Sequence, residues 1–138
     1  MNATIFLLCA VLRIASASEP GERLVLTGHV LGADGKPRGG VAIEVWHTDV
    51  TGHYRRDNGD GPPRLQGTTH TAADGSYAID TIKPGLYPGA KSGAHMHFTL
   101  NGEAAMILFD GPQAIHLTRD AKGVLHGTHD FHLHGGAK

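Results

Sequence analysis

Val41 to Thr48, VAIEVWHT, is the stretch that decides the fold class of this chain. Side chains alternate along a strand, so Val41, Ile43, Val45 and His47 fall on one face and Ala42, Glu44, Trp46 and Thr48 on the other. Apolar groups on both faces predict a central strand of a sheet. Upstream, Arg23 to Leu31 (RLVLTGHVL) alternates as a second strand, and Ala33-Asp34-Gly35-Lys36-Pro37 follows with turn chemistry.

Downstream, Asp49 to Thr69 is polar and rich in glycine and proline. It reads as a long loop, and long loops on a rigid scaffold often carry function. Asp74-Gly75 marks a hairpin between a polar edge at His70 to Ala73 and a strand at Ser76 to Ile82, which Lys83-Pro84-Gly85 ends. Further strands are predicted at His95 to Leu100 and Ala105 to Phe109, then at Ala114 to Thr118, with a turn at Asp120 to Gly123 and a last strand from His129 to His134. No stretch carries a helical period. The expected class is all-β: a single β-sandwich of mostly antiparallel strands with long loops.

Composition fits this class. Twenty glycines and seven prolines in 138 residues suit short strands joined by tight turns. A formal net charge of -1 offers no basic field for a nucleic-acid backbone or an anionic membrane surface. Cys9 is the only cysteine, which excludes an internal disulfide and any multi-cysteine zinc or iron–sulfur site. Eleven histidines nearly equal the twelve lysines and arginines, and neutral imidazole is the commonest protein metal ligand.

The first residues suggest export. Ile5 to Leu12 is a short apolar run, and Ala15-Ser16-Ala17 offers the small residues that signal peptidase accepts. Residues 1–18 are therefore expected to be a signal peptide cut after Ala17 or Ser18, with the domain at 19–138 and the protein periplasmic or secreted. The alternative is an apolar first strand, since Arg13 interrupts the run and no basic residue precedes it. The run is too short to span a bilayer, which needs ~20 apolar residues.

His95-Met96-His97 places two imidazoles on one side of a strand, where both can reach one ion. Alone it is also compatible with two surface histidines paired by chance. Tyr87 lies eight positions before His95, and Tyr54 lies in the loop after the Trp46-His47 strand. Each is equally compatible with a half-buried ring whose hydroxyl finds a partner. His126, His129, His132 and His134 form a terminal cluster that reads either as a second copper or zinc site or as a solvated tail.

Three ordered blocks resemble the intradiol ring-cleavage dioxygenases, the family of catechol 1,2-dioxygenase and protocatechuate 3,4-dioxygenase. Leu26 to Tyr54 resembles the family's opening block, with a DGKP turn, a VEVWH-like strand and a closing G-x-Y. Thr71 to Tyr87 resembles its D-x-x-G-x-Y strand running into TI-x-P-x-x-Y, and Ala94 to Phe98 resembles its A-H-I-H-F strand. The resemblance runs to about Leu133. It implies one non-haem Fe(3+) ion held by Tyr54, Tyr87, His95 and His97, with Tyr77 structural. It further implies a catechol-like diol and O2 as substrates, a muconate-type diacid as product, and Tyr87 as the ligand that leaves on substrate binding and acts as base. Phenolate ligands suit a ferric ion, because a phenol of pKa near ~10 ionises at neutral pH only beside a strongly polarising cation.

The chain departs from the family at two places. Ser92 stands where an arginine precedes the first histidine ligand by three positions, with Lys91 adjacent; Met106 stands where a glutamine is expected. A metal-binding sandwich that keeps the ligands but turns over poorly is therefore the first rival reading. An adhesion-like or transthyretin-like module is the second. A homodimer through the sandwich is the alternative to a monomer.

Overall fold

The computed structural model describes residues 9–57, 59 and 61–135. Ten strands are present among them and no helix: β1 (Val11–Arg13), β2 (Arg23–Leu31), β3 (Ala42–His47), β4 (Leu65–His70), β5 (Ser76–Ile82), β6 (His95–Leu100), β7 (Glu103–Leu108), β8 (Leu117–Arg119), β9 (Leu125–Thr128) and β10 (Phe131–His132). One sheet runs β1-β5-β2-β9-β8, with β10 also pairing with β2; the other runs β4-β3-β6-β7. The all-β sandwich expected from the sequence is the observed class. No helix among the described residues is long and apolar enough to cross a membrane.

The core lies between the sheets and follows the alternation of the strands. β2 turns Leu24, Leu26 and Val30 inward, β3 turns Ile43 and Val45, and β6 turns Met96, Phe98 and Leu100; all are fully or almost fully buried. Each such side chain contributes roughly 1.5–3 kcal/mol of burial. Opposite parity puts Trp46, His95, His97 and Thr99 on the outer face of the four-stranded sheet. β3 is central there, flanked by β4 and β6, as its two apolar faces predicted. Tyr77 is buried and donates its hydroxyl to the His129 carbonyl at 2.5 Å, the structural part expected of it.

Three readings of the sequence differ from the structure. Leu65–His70, taken as the end of a loop and one side of a hairpin, is the edge strand β4, paired antiparallel to β3. Only Leu65 in it is buried, so the polar LQGTTH carries no apolar alternation to reveal it. The turn at Asp74-Gly75 closes locally, with Gly75 N–H donating to Ala72, but it carries the chain from one sheet to the other rather than joining neighbouring strands. The C-terminal strands are shorter and shifted: β8 and β9 form the hairpin, and β10 holds only Phe131 and His132.

β1 pairs parallel with β5, in register Val11 with Ala78 and Arg13 with Asp80. Ala15 is fully buried with Ile82 and Leu65 in a small second cluster, and Leu12 packs on Gly67. The cut expected after Ala17 or Ser18 would remove these contacts. Residues 1–8, which include the first half of the apolar run, lie outside the described residues.

Candidate metal centre

Strand β6 supplies the first half of the site. Its outward residues His95 and His97 stand with Nε2 atoms 3.0 Å apart and rings nearly perpendicular. His95 Nδ1–H donates to the Gly93 carbonyl at 2.6 Å, which fixes that tautomer and leaves Nε2 with a free lone pair. The His97 ring stacks on Trp46, its neighbour on β3, with centroids 5.2 Å apart and planes 15° from parallel. On the other side of His97, β7 places Met106 directly opposite, half exposed on the same outer face.

Two loops bring the tyrosines. Tyr54 and Tyr87 hold their phenol oxygens 2.6 Å apart, and Tyr87 Oη lies 3.1 Å from His95 Nε2. All four side chains named from the sequence thus meet in one chain of contacts, although 43 positions separate the first from the last. Tyr87 is 41% exposed, while Tyr54 is less so.

The loop bearing Tyr54 is pinned at both ends. Asp49 Oδ1 accepts from the Thr51 N–H, the Thr51 hydroxyl and the His53 N–H, and Arg64 N–H donates back to the Tyr54 carbonyl at 2.8 Å. The Arg64 guanidinium grips the buried Glu19 carboxylate with two bonds of 2.7 and 2.9 Å and lies 3.5 Å from Asp49. The bond from Arg64, against the cost of burial, holds the Glu19 carboxyl below the usual carboxylate range.

The loop also presses on the segment that bears Tyr87. A Cβ on Gly52 would lie 1.7 Å from the Leu86 carbonyl oxygen, and one on Gly85 would lie 2.2 Å from the Val50 carbonyl oxygen. Gly85 N–H donates to Asp49, and the Thr48 hydroxyl donates to Gly85. Only residues without side chains allow the two backbones to lie this close, and that closeness holds the two phenols together.

Burial first, then the hydrogen bond from Tyr87, pushes the Tyr54 phenol well above its ordinary value. Burial and the neighbouring His95 push His97 down. The donor atoms lie 2.6–3.1 Å apart in sequence, the spacing of neighbouring ligands on a first-row ion with bonds of about 2.0–2.2 Å. Two phenols and two imidazoles therefore fit a hard, highly charged metal ion in both spacing and chemistry.

Other named residues lie elsewhere. His47 is fully buried, with Nδ1 on the Thr48 carbonyl and Nε2 on the Thr81 hydroxyl, and does not line the site. His53 contacts the Thr51 hydroxyl. The terminal histidines disperse: His126 pairs with Asp120 and His134 with Glu103. No group of three or more His, Cys, Asp or Glu side chains that could hold a metal occurs among the described residues. Ser92 and Lys91 are exposed, and no hydrogen bond or ion pair joins a lysine or arginine to the tetrad among those residues. Three contributors escaped sequence reasoning: Gly52 with Gly85, the Glu19–Arg64 pair, and Asp110, which accepts from the backbone just before His95.

Comparison with known proteins identifies the family. The profile of the dioxygenase family matches residues 9–118. The chain is 40% identical over 94 residues to the protocatechuate 3,4-dioxygenase beta chain of Burkholderia cepacia, covering 60% of this chain and 40% of that one. It is 34% identical over 73 residues to catechol 1,2-dioxygenase 2 of Acinetobacter lwoffii, covering 52% and 26%. It thus spans less than half the length of these relatives. Among solved structures, the dioxygenase domain of a dioxygenase–carbohydrate-binding protein fusion from Streptomyces sp. SirexAA-E superposes with a TM-score of 0.72 at 29% identity, covering 96% of this chain and 94% of that one. An intradiol ring-cleavage dioxygenase from Tetranychus urticae shares the fold, with a TM-score of 0.70 at 20% identity and coverage of 88% and 84%. With a match across most of its length and the same two-sheet architecture, the chain belongs to the intradiol ring-cleavage dioxygenase family.

Proposed function

We propose that this chain binds one ferric ion through Tyr54, Tyr87, His95 and His97 and uses O2 to open a catechol-type diol between its two hydroxylated carbons, giving a muconate-type diacid. The observation that carries the reading is the continuous contact Tyr54 Oη to Tyr87 Oη to His95 Nε2 to His97 Nε2, at 2.6, 3.1 and 3.0 Å. When bound, ferric iron supplies the positive charge that ionises the phenols and the diol and makes the organic ring, rather than free dioxygen, the activated partner.

The chain's own residues divide the work. Tyr54, held by Arg64 on one side and by the Gly52 contact on the other, is the anchored phenol. Tyr87 is the more exposed of the two and sits on the short segment after Pro84-Gly85, so it is the one placed to swing aside. Once displaced, its oxygen is placed to accept a proton from the incoming diol. His95 is held by Gly93 and His97 by the face of Trp46, so both rings keep their aim while Tyr87 moves. Trp46 and Met106 flank His97 as its apolar neighbours on the two adjoining strands.

A second reading, iron binding with weak turnover, is favoured by one observation: no lysine or arginine makes a hydrogen bond or ion pair to the tetrad among the described residues, and Ser92 and Met106 occupy the two expected helper positions. Missing charge stabilisation of this kind costs on the order of a hundredfold in rate. Oxygen uptake and diacid formation after adding catechol to the iron-loaded protein under air test both. Stoichiometric diacid at a steady rate supports the first reading; a coloured, catechol-binding protein without product supports the second. Export is likewise proposed from the first eighteen residues, and the N-terminal sequence of the secreted or periplasmic protein tests it.

A further inference from the structure

Where the β6–β7 ladder ends, just before β6 and just after β7, the Asp110 carboxylate accepts two backbone hydrogen bonds, from Gly93 N–H at 2.5 Å and from Ala94 N–H at 3.2 Å. The Ala94 N–H belongs to the same peptide group as the Gly93 carbonyl, and that carbonyl accepts from His95 Nδ1–H at 2.6 Å. Carboxylate, peptide and imidazole therefore form one head-to-tail line of hydrogen bonds, ending at His95 Nε2 where it faces Tyr87 and His97. On the far side of Ala94 the ladder continues, with Phe109 N–H donating to the Ala94 carbonyl at 2.8 Å, so Asp110 and Ala94 are held in register.

From this we infer that Asp110 is a positioning residue for the metal centre, acting on His95 through the peptide between Gly93 and Ala94. The inference rests on the proposed iron site. Metal-bound histidines commonly give their second ring N–H to a carboxylate or a carbonyl, which fixes the ring and raises its basicity. In this chain the carbonyl is itself polarised by a carboxylate at the other end of its amide. A negative charge beside Ala94 N–H draws the peptide dipole toward greater charge on the Gly93 oxygen, because aligned hydrogen bonds strengthen one another. Gly93 O then accepts more strongly from Nδ1–H, and Nε2 becomes a better donor to a cation. Asp110 also fixes the backbone immediately before His95 by holding two successive N–H groups. Its place in the sequence, Leu108-Phe109-Asp110-Gly111 at the end of β7, gives no hint of this, since it follows His95 by fifteen positions and meets it only through the β6–β7 pairing.

The test is Asp110→Asn, which keeps the shape but removes the charge and one acceptor. Ferric iron affinity should fall about tenfold, the low end of the loss seen when such supporting groups are removed. The phenolate-to-iron absorption should move to longer wavelength, because a poorer imidazole donor leaves iron the stronger electron acceptor. Unaltered affinity and an unaltered band in a folded D110N protein would overturn the inference while leaving the iron site intact. An unaltered protein that takes up no iron would instead overturn the site itself. If D110N does not fold, the metal-free unaltered protein decides: the inference requires slow hydrogen exchange at His95 Nδ1–H, Gly93 N–H and Ala94 N–H, and fast exchange at these three groups refutes it.

Discussion

Replacing Gly52 with alanine tests whether the contact between the two loops is what assembles the site. Gly52 has φ of +86°, and its added Cβ would lie 1.7 Å from the Leu86 carbonyl oxygen and 3.2 Å from Tyr87 Cα. The left-handed backbone alone costs a residue with a Cβ about 1–2 kcal/mol. Relieving the clash requires the Leu86 segment to retreat by about 1.3 Å, to the 3.0 Å that real Cβ contacts respect. Forced expansion of packed structure adds about 1–3 kcal/mol. A retreat of that size pulls Tyr87 from its 2.6 Å contact with Tyr54, so iron affinity should fall on the order of a hundredfold, the upper range for disturbed ligand support. Gly35→Ala is the matched control: its φ is +80°, but nothing lies within 4 Å of its Cβ. Thermal melts and iron titration of both proteins separate the two terms. The control should lose about 1–2 kcal/mol and keep its iron; Gly52→Ala should lose about 2–5 kcal/mol and most of its affinity. Equal iron affinity in the two variants would refute the reasoning.

Glu19→Gln should loosen the loop that bears Tyr54, since it discharges the partner of the two Arg64 bonds; about 2 kcal/mol of stability is at stake, with faster iron release by chelator competition as the readout. Burial holds the His47 imidazole down to about 4 from an ordinary 6.5. The unfolded chain therefore binds a proton that the folded chain refuses, so stability present above pH ~6.5 is lost as pH falls toward 4, by roughly 3 kcal/mol in all. Urea midpoints between pH 7 and pH 4.5 should show that slope, and His47→Gln should flatten it. Met106→Gln places an amide opposite His97 on the outer face and should raise the rate of ring opening without changing iron content; a rate unchanged or lower would show that this position does not limit turnover.

Much of the fold was legible because its strands obey the two-residue alternation of a sheet with one face buried. VAIEVWHT and HMHFTL each divide into an inward, mostly apolar set and an outward set, and the outward set of β6 contains the histidine pair. β4 was not legible, because an edge strand with one buried residue in six leaves no periodic trace. Residues 9–15 carried an ambiguous signal: an apolar run ahead of small residues serves equally as a leader or as a strand, and only its pairing with β5 shows the contacts it makes. The four meeting side chains were legible through family-like blocks rather than through spacing. What supports them was not. The Gly52–Leu86 approach, the Glu19–Arg64 grip and the Asp110 caps each join segments 16 to 45 positions apart, and such contacts exist only once the strands are paired. The histidine cluster near the C-terminus was conspicuous for the opposite reason. It is dense in sequence, yet His126 lies on β9 and His132 on β10, and His126 and His134 find separate carboxylates.

Visible absorption of the purified protein after ferric iron loading bears most directly on the central claim. Phenolate oxygens bound to ferric iron give a charge-transfer band that colours the solution reddish. The band should appear in proportion to one iron per chain, vanish or collapse in Tyr54→Phe and His95→Ala, and persist in Tyr77→Phe. A protein that holds stoichiometric iron yet stays colourless, or one whose colour survives loss of Tyr54 and His95 alike, would contradict the assignment of Tyr54, Tyr87, His95 and His97 as the metal centre.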